Sequence, residues 1–388
     1  MKNIIYVGQF KDASGYGNAA RGYLYLLDKY LDKKHYNLKT ISLNFEKQDF
    51  RNNKDIALIE KYELSDWQEF SNNNKFIVII HGLPNYCSIE AINNLLNHKN
   101  CILKVNLVAW ETDNLPISWK NIYDSRIYDR IGVFSKWNYK TFSNHTKLPV
   151  HLIPHAIYDY YNLEKTFNNN IFNIFSMSQW SHRKGFDVLL KAYYQEFFSN
   201  TDVELFIKTY RNETLANSSD DSEKEKIIQD ITKIKNSISH YGKLASCKVS
   251  LKTGVVSNDE IKNYYDKATV FCSPTRGEGF GMTIAQAALS GIPCIVPSLG
   301  GHIDYLNPDT TYWVDSSFEP LYDLPYSIYS SCDMNFVEPS LSSTRKQLRK
   351  AYNDWKSGKL STIATESRKY SLSFLDEQKI FKNFMEIL

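Results

Sequence analysis

The chain has 388 residues, too many for one ordinary hydrophobic core, so two domains are expected. Hydrophobic residues make up 43% and charged residues 23%, the composition of a globular protein rather than a disordered or fibrous one. Lys plus Arg total 46 against 43 Asp plus Glu, and a net charge of +3 gives no broad field for a polyanion, so nothing in the charge calls for nucleic acid as a partner.

In chain order, Met1 to Phe10 reads as a buried first strand around Ile4-Ile5-Tyr6-Val7, followed by a loop from Gly8 to Gly17 and a helix from about Asn18 to Tyr30. Within that loop Ser14-Gly15-Tyr16-Gly17 is neither a Walker loop nor a complete dinucleotide fingerprint, because no Lys-Ser or Lys-Thr follows at the proper spacing. Phe76 to Ile80 is a second apolar strand and ends in His81-Gly82; a lone histidine there is more often structural than catalytic. Val105 to Trp119 runs from strand into a polar loop and a proline-initiated helix, where Glu111 and Asp113 are open to two readings, binding hydroxyls or capping the helix. Two further strands, at Val133-Phe134 before Ser135 and at Val150 to Ile153 before Pro154-His155-Ala156, complete the amino-terminal half.

Periodicity is lost between Tyr158 and Asn173, which gives domains over 1–165 and 166–370 and a terminal helical segment over 371–388. Asn173 to Ala192 reads as a strand, a basic loop with Arg183-Lys184-Gly185, and a helix; alone, that Arg-Lys pair is a solvated helix start. Asn217 to Lys226 is a hydrophilic insertion that opens a helix. Leu251 to Ser257 is a strand and turn holding Thr253 and Gly254, and ordinary strand-end packing explains these two equally well. Thr269 to Ser273, the loop Pro274 to Gly281, an alanine-rich helix ended by Gly291, and the strand Ile292 to Pro297 form a βαβ unit. Its helix begins with amides lacking intrahelical partners, a place that attracts an anion, and Gly279 and Gly281 let the backbone approach one. By steps of three and four, Gln286 shares a face with Thr283 and Ser290. Taken by itself the glycine loop is more commonly a structural turn.

Glu278, seven intervening residues and Gln286, in the frame EGFGMTIAQAALSGIPCIVP, resemble the Glu-x7-Glu donor signature of glycosyltransferase family 4, retaining sugar transferases of the GT-B fold. The resemblance covers residues 1 to about 310 with the parts in the family's order. It implies an α/β chain of two Rossmann-like domains facing each other across a cleft, with the terminal helix returning to the amino-terminal domain. It implies transfer of a sugar from a nucleotide diphosphate sugar to a hydroxyl acceptor (a glycan, lipid-linked sugar, protein, nucleic acid or small molecule), with no cofactor beyond the donor. By resemblance Lys184, Glu278 and His81 are the catalytic candidates. Gly15, Arg183, Lys184, Thr253, Gly254, Glu278, Gly279, Phe280, Gly281, Met282, Thr283 and Gln286 are the donor-binding candidates, and Glu111 and Asp113 lie on the acceptor side. A departing diphosphate accumulates negative charge, which is the physical need for the cations. Three positions depart from the family pattern: Gln286 replaces its second Glu, Gln179 stands where an Arg is usual, and Ala156 replaces a Gly. A nucleotide-sugar epimerase of the same fold and a non-catalytic nucleotide-sugar binder are the alternatives.

No two aspartates are separated by one residue, and no triad or zinc spacing occurs, so no catalytic metal is expected. The six cysteines form no CxxC pair and read as buried reduced thiols. No apolar run reaches the ~18 residues that cross a bilayer, and the amino terminus shows no signal-peptide architecture, so a cytoplasmic protein is expected. The helix from Thr344 to Ser357 has a basic side and an apolar side; such a pattern is compatible with peripheral contact at the inner membrane surface, though it more often marks an ordinary surface helix with its charges in water.

Overall fold

The computed structural model describes residues 1–43, 53–158, 165, 167, 170–211, 220–238, 247–254, 256–321 and 333–388; of 220 and 221 it describes the backbone only. Most of the expected linker over 160–170, the start of the hydrophilic insertion at Asn217, and Cys332 lie outside the described residues. The chain divides into two compact units: Met1–Tyr158 with Leu375–Leu388 and with Asp333 and Met334, and Asp159–Ile328 with Asn335–Phe374.

The first unit carries six strands: β1 (Lys2–Gly8), β2 (Tyr36–Ser42), β3 (Phe76–His81), β4 (Cys101–Val108), β5 (Arg130–Val133) and β6 (Val150–Leu152). They pair in the order β2-β1-β3-β4-β5-β6, with every pairing parallel. Parallel neighbours need crossover helices on the sheet faces, so central strands are buried on both sides and read as unbroken apolar runs. β3, Phe-Ile-Val-Ile-Ile-His, is buried at every position. The helix Gly15–Tyr30 follows β1, capped by the Ser14 hydroxyl, which accepts from Gly17 N at 3.1 Å. The last helix, Glu377–Glu386, belongs to this unit: Lys29 and Tyr30 both reach Glu377, and Phe384 packs against Tyr23 at 5.2 Å.

The second unit has β7 (Phe172–Gln179), β8 (Val203–Tyr210), β9 (Lys248–Lys252), β10 (Val270–Cys272), β11 (Cys294–Pro297) and β12 (Tyr312–Val314), all parallel, in the order β12-β11-β10-β7-β8-β9. An antiparallel pair, β13 (Ser316–Pro320) with β14 (Asn335–Pro339), is attached beside it. The chain builds outward from β7 in one direction and then from β10 in the other. The loops leaving the carboxyl ends of these two neighbours therefore diverge and open a crevice, where such sheets hold their ligands. The helix Leu341–Lys356 packs on the helix Phe186–Phe197: Arg345 and Arg349 bond Glu196, and Lys356 bonds Asp202, so much of its basic side is engaged within the protein.

All five described cysteines, Cys87, Cys101, Cys247, Cys272 and Cys294, are free thiols. Among the described residues no helix is long and apolar enough to cross a membrane.

Candidate active site

Two loops meet at the switch point of the second sheet. After β7 the chain passes through a tight turn, His182–Lys184, into Gly185, which starts the helix Phe186–Phe197. After β10 it runs through Ser273–Gly281 into the helix Met282–Leu289. Gly185 has φ +70°, and a Cβ there would run into the Pro274 carbonyl. Only glycine lets the two backbones come this close.

Their side chains meet in one place. Lys184 Nζ donates to Glu278 Oε1 at 2.5 Å, and Arg183 Nη1 lies 4.0 Å from Glu278 Oε2 while donating to Gly277 O at 2.7 Å. Glu278 is buried, which alone would raise its pKa; Lys184 and then Arg183 outweigh that and hold the carboxyl below its ordinary value. It is therefore a carboxylate at neutral pH, an acceptor only, suited to hydroxyl donors. Its carbonyl accepts from Gly301 N at 2.8 Å, bringing the turn Gly301–Asp304 under the loop. There His302 is fully buried with Nε2 on Pro297 O at 2.8 Å, and burial lowers its pKa.

Gly281, at φ +87°, caps the helix Met282–Leu289 without any side-chain cap bond. The first intrahelical bond runs from Ala285 N to Gly281 O at 3.0 Å, so the amides of Met282, Thr283 and Ile284 precede the helix's own bonding. An uncapped helix start next to Lys184 and Arg183 is an electropositive patch fitted to a phosphate. Gln286 sits one turn further on, its Oε1 3.4 Å from the Tyr265 hydroxyl, which also donates to Thr283 O at 3.2 Å. Phe280 contributes backbone only: its ring is buried against Tyr305 at 4.9 Å, and its carbonyl accepts from the Tyr305 hydroxyl at 2.9 Å.

Other expected residues take separate places. Thr253 is buried after β9, and the Gly254 carbonyl accepts from Lys208 Nζ at 2.5 Å, an anchor absent from the sequence reading. Gln179 turns its amide to Arg211 O at 3.4 Å. Gly15, His81, Glu111 and Asp113 belong to the first unit. Gly15 is exposed, with open space where a Cβ would stand. His81 is fully buried among aromatic rings, with Nδ1 2.7 Å from the Tyr6 hydroxyl, and burial lowers its pKa to about 3. Glu111 and Asp113 are half-buried in the loop after β4. The helix they precede, Ile117–Asp124, has Pro116 at its N-cap position. Among the described residues no group of three His, Cys, Asp or Glu side chains is arranged to hold a metal ion.

The comparisons agree with this architecture. Residues 171–319 match the family model described as Glycosyl transferases group 1. No curated protein matches the sequence significantly. Among solved structures, a point mutant of S. aureus TarM in complex with fondaparinux, alpha-GlcNAc-glycerol and UDP superposes with TM-score 0.60 at 13% identity, over 88% of this chain. This chain spans 60% of TarM's length. Sucrose-phosphate synthase from Thermosynechococcus elongatus gives TM-score 0.67 at 12% identity, over 100% of this chain and 98% of that one. A glycosyltransferase from Rickettsia africae gives 0.68 at 14% identity, over 100% and 97%. At such identities the structural likeness establishes the fold, two α/β units of the GT-B kind. The family match adds support for a GT-B glycosyltransferase.

Proposed function

We propose that the protein moves a sugar from a nucleotide diphosphate sugar to a hydroxyl acceptor with retention of anomeric configuration and without a catalytic metal. The observation that carries this reading is the 2.5 Å meeting of Lys184 and Glu278 beside an uncapped helix start at the switch point of a six-stranded parallel sheet. A nucleotide sugar has two polar demands at its reacting end, a diphosphate that needs cations and a sugar that needs hydroxyl acceptors. Lys184, Arg183 and the amides of Met282 and Thr283 supply the first, and the Glu278 carboxylate supplies the second.

In the reaction the bond from the anomeric carbon to the diphosphate oxygen breaks as the acceptor oxygen bonds to that carbon on the same face. The acceptor's proton passes to the diphosphate oxygen that departs with the bonding electrons. Negative charge grows on the leaving group, so a cation fixed beforehand stabilises the transition state more than the ground state. Gln286, held beside Tyr265, is assigned to the ribose, and Thr253 and Gly254 to the base. As a neutral amide Gln286 makes a weaker bond than a carboxylate would. Glu111 and Asp113 are assigned to the acceptor.

UDP and alpha-GlcNAc-glycerol are bound by TarM, so nucleotide sugars head the list of ligands to try. Calorimetric titration of the full chain against UDP-, GDP-, ADP- and dTDP-sugars, with product analysis, is the test. Binding followed by transfer or slow hydrolysis supports the proposal, and full activity in EDTA supports the metal-free mechanism. Isomerised donor would mark an epimerase, and binding without turnover a sensor or binding protein; either result contradicts transfer.

A further inference from the structure

Between the two loops that carry Lys184 and Glu278 lies a third charged group that neither motif explains. The Arg276 side chain is only 3% exposed. All five of its N–H donors are engaged. Nε and one terminal nitrogen grip Glu338 at 2.5 and 2.8 Å, the two terminal nitrogens grip Asp187 at 2.8 and 3.0 Å, and Nη1 also donates to His182 O at 2.8 Å. Both carboxylates are bound in the bidentate manner that fixes direction as well as distance. Asp187 lies in the first turn of the helix that follows Lys184, and Glu338 lies on β14.

The backbone repeats the connection. Arg276 N donates to Arg183 O at 2.6 Å, the Thr275 hydroxyl donates to the same carbonyl at 3.1 Å, and Arg276 O accepts from Val337 N at 2.8 Å. Three segments far apart in sequence are thus tied at one residue: the turn bearing Lys184, the loop bearing Glu278, and β14.

We propose that Arg276 is the positioning residue of the donor site: its guanidinium, locked between Asp187, Glu338 and the His182 carbonyl, sets the spacing of the Lys184 and Glu278 loops. The inference rests on the donor-site reading above. A purely stabilising ion cluster would act differently. Buried salt bridges add little net stability compared with well-packed alternatives, and their loss lowers the folded fraction without altering what the folded molecules do. A positioning residue changes the chemistry of the folded molecules, because a misplacement of about 1 Å can cost roughly 100-fold in rate.

The test uses the full chain, with donor hydrolysis or transfer as readout and circular dichroism to normalise for folded protein. Arg276→Lys keeps the charge and loses the fork. The expected result is kcat lower by about 10- to 100-fold with donor KM within about 3-fold of wild type. Glu338→Gln, which leaves Arg276 and its Asp187 contact in place, is the milder companion if Arg276→Lys folds poorly, and is expected to lower kcat several-fold. A double-mutant cycle completes the measurement. Lys184→Ala is expected to weaken binding of UDP or GDP, whichever wild type binds more tightly, and that loss is expected to shrink in the Arg276→Lys background. Unaltered kcat per folded molecule in both variants, or strictly additive effects with Lys184→Ala, overturns the inference while leaving the donor site standing. Wild type binding no nucleotide sugar at all overturns the donor-site reading and this inference with it.

Discussion

The loop after β1 and the loops after β7 and β10 occupy equivalent places, each leaving the carboxyl end of a strand beside the reversal in its own sheet. Each is pinned by a buried arginine. In the first unit Arg21 donates to the carbonyls of Phe10 and Asp12 at 2.8 and 2.7 Å and lies 3.7 Å from Asp55. In the second, Arg276 performs the equivalent tie with two carboxylates. The chemistry presented differs. Near β1 the charged side chains pair with one another, Arg21 with Asp55 and Lys11 with Glu63, and the remaining bonds join neutral groups: Gln9 donates to the Tyr86 hydroxyl at 2.7 Å, Ser14 donates to Gln9 at 3.1 Å, and His81 is enclosed by aromatic rings. Near β10 the groups are charged: Lys184, Arg183 and Glu278. One topology thus gives two kinds of ground: two cations on a carboxylate beside an uncapped helix start near β10, and mostly neutral bonding near β1.

The sharpest way to break this contrast is to discharge the second site. Lys184→Ala is expected to lower turnover by about 100- to 1000-fold, the cost of removing one fixed stabiliser of developing charge; steady-state kinetics with any accepted donor decides it. Turnover within 3-fold of wild type would remove Lys184 from the mechanism.

Gly185→Ala attacks the close approach of the two charged loops. With φ at +70° and the Pro274 carbonyl in the way, it should destabilise the protein by about 2 kcal/mol or more, read as a fall in denaturation midpoint at unchanged slope. Unchanged stability would mean that the backbones separate freely.

The first unit carries its own pH signature. The folded-state pKa of His81 is about 3 against 6.5 for the free side chain. Between those values the unfolded chain holds the extra proton, so its contribution is fully present above about pH 6.5 and falls as the pH drops toward 3. One such group gives a slope of at most about 1.4 kcal/mol per pH unit. His81→Phe should flatten the acid side of the stability curve. A slope identical to wild type would show that His81 is protonated in the folded state after all. Glu278, whose pKa is lowered, contributes in the same direction, with stability present above its unfolded pKa and lost as the pH falls through its folded value.

The smallest expected effect concerns Gln286. Gln286→Glu restores a charged acceptor beside Tyr265 and should tighten nucleotide-sugar binding by about 2- to 10-fold; equal or weaker binding would take position 286 out of the donor site.

Much of the fold was legible because parallel sheets write themselves as apolar runs: β1 and β3 were visible as Ile4 to Val7 and Phe76 to Ile80, and the loop from Pro274 to Gly281 by its glycines. Helix starts were less legible, since the first helix begins at Gly15 rather than Asn18, with Ser14 as its cap. Glu278 and Lys184 were paired through resemblance to a family, not through anything local, and the structure brings the two charges into contact. Arg276 lies in the same loop as Glu278 yet carried no signal of its own. Its partners Asp187 and Glu338 lie 89 and 62 positions away, and no periodicity reports a contact of that range. The burial of His81 was equally hidden, because a residue at a strand end faces core or solvent according to what packs above it.

The account depends on Lys184 and Glu278 serving the two ends of one ligand, and calorimetry on three proteins tests that directly. Wild type, Lys184→Ala and Glu278→Gln would each be titrated with a nucleotide sugar and with the matching nucleoside diphosphate. The prediction is that Lys184→Ala weakens both ligands. Glu278→Gln should lose affinity for the sugar nucleotide alone and hold the diphosphate at least as tightly as wild type, since Lys184 is then released from its ion pair. Parallel losses for both ligands in both variants, or no loss in either, would contradict the assignment.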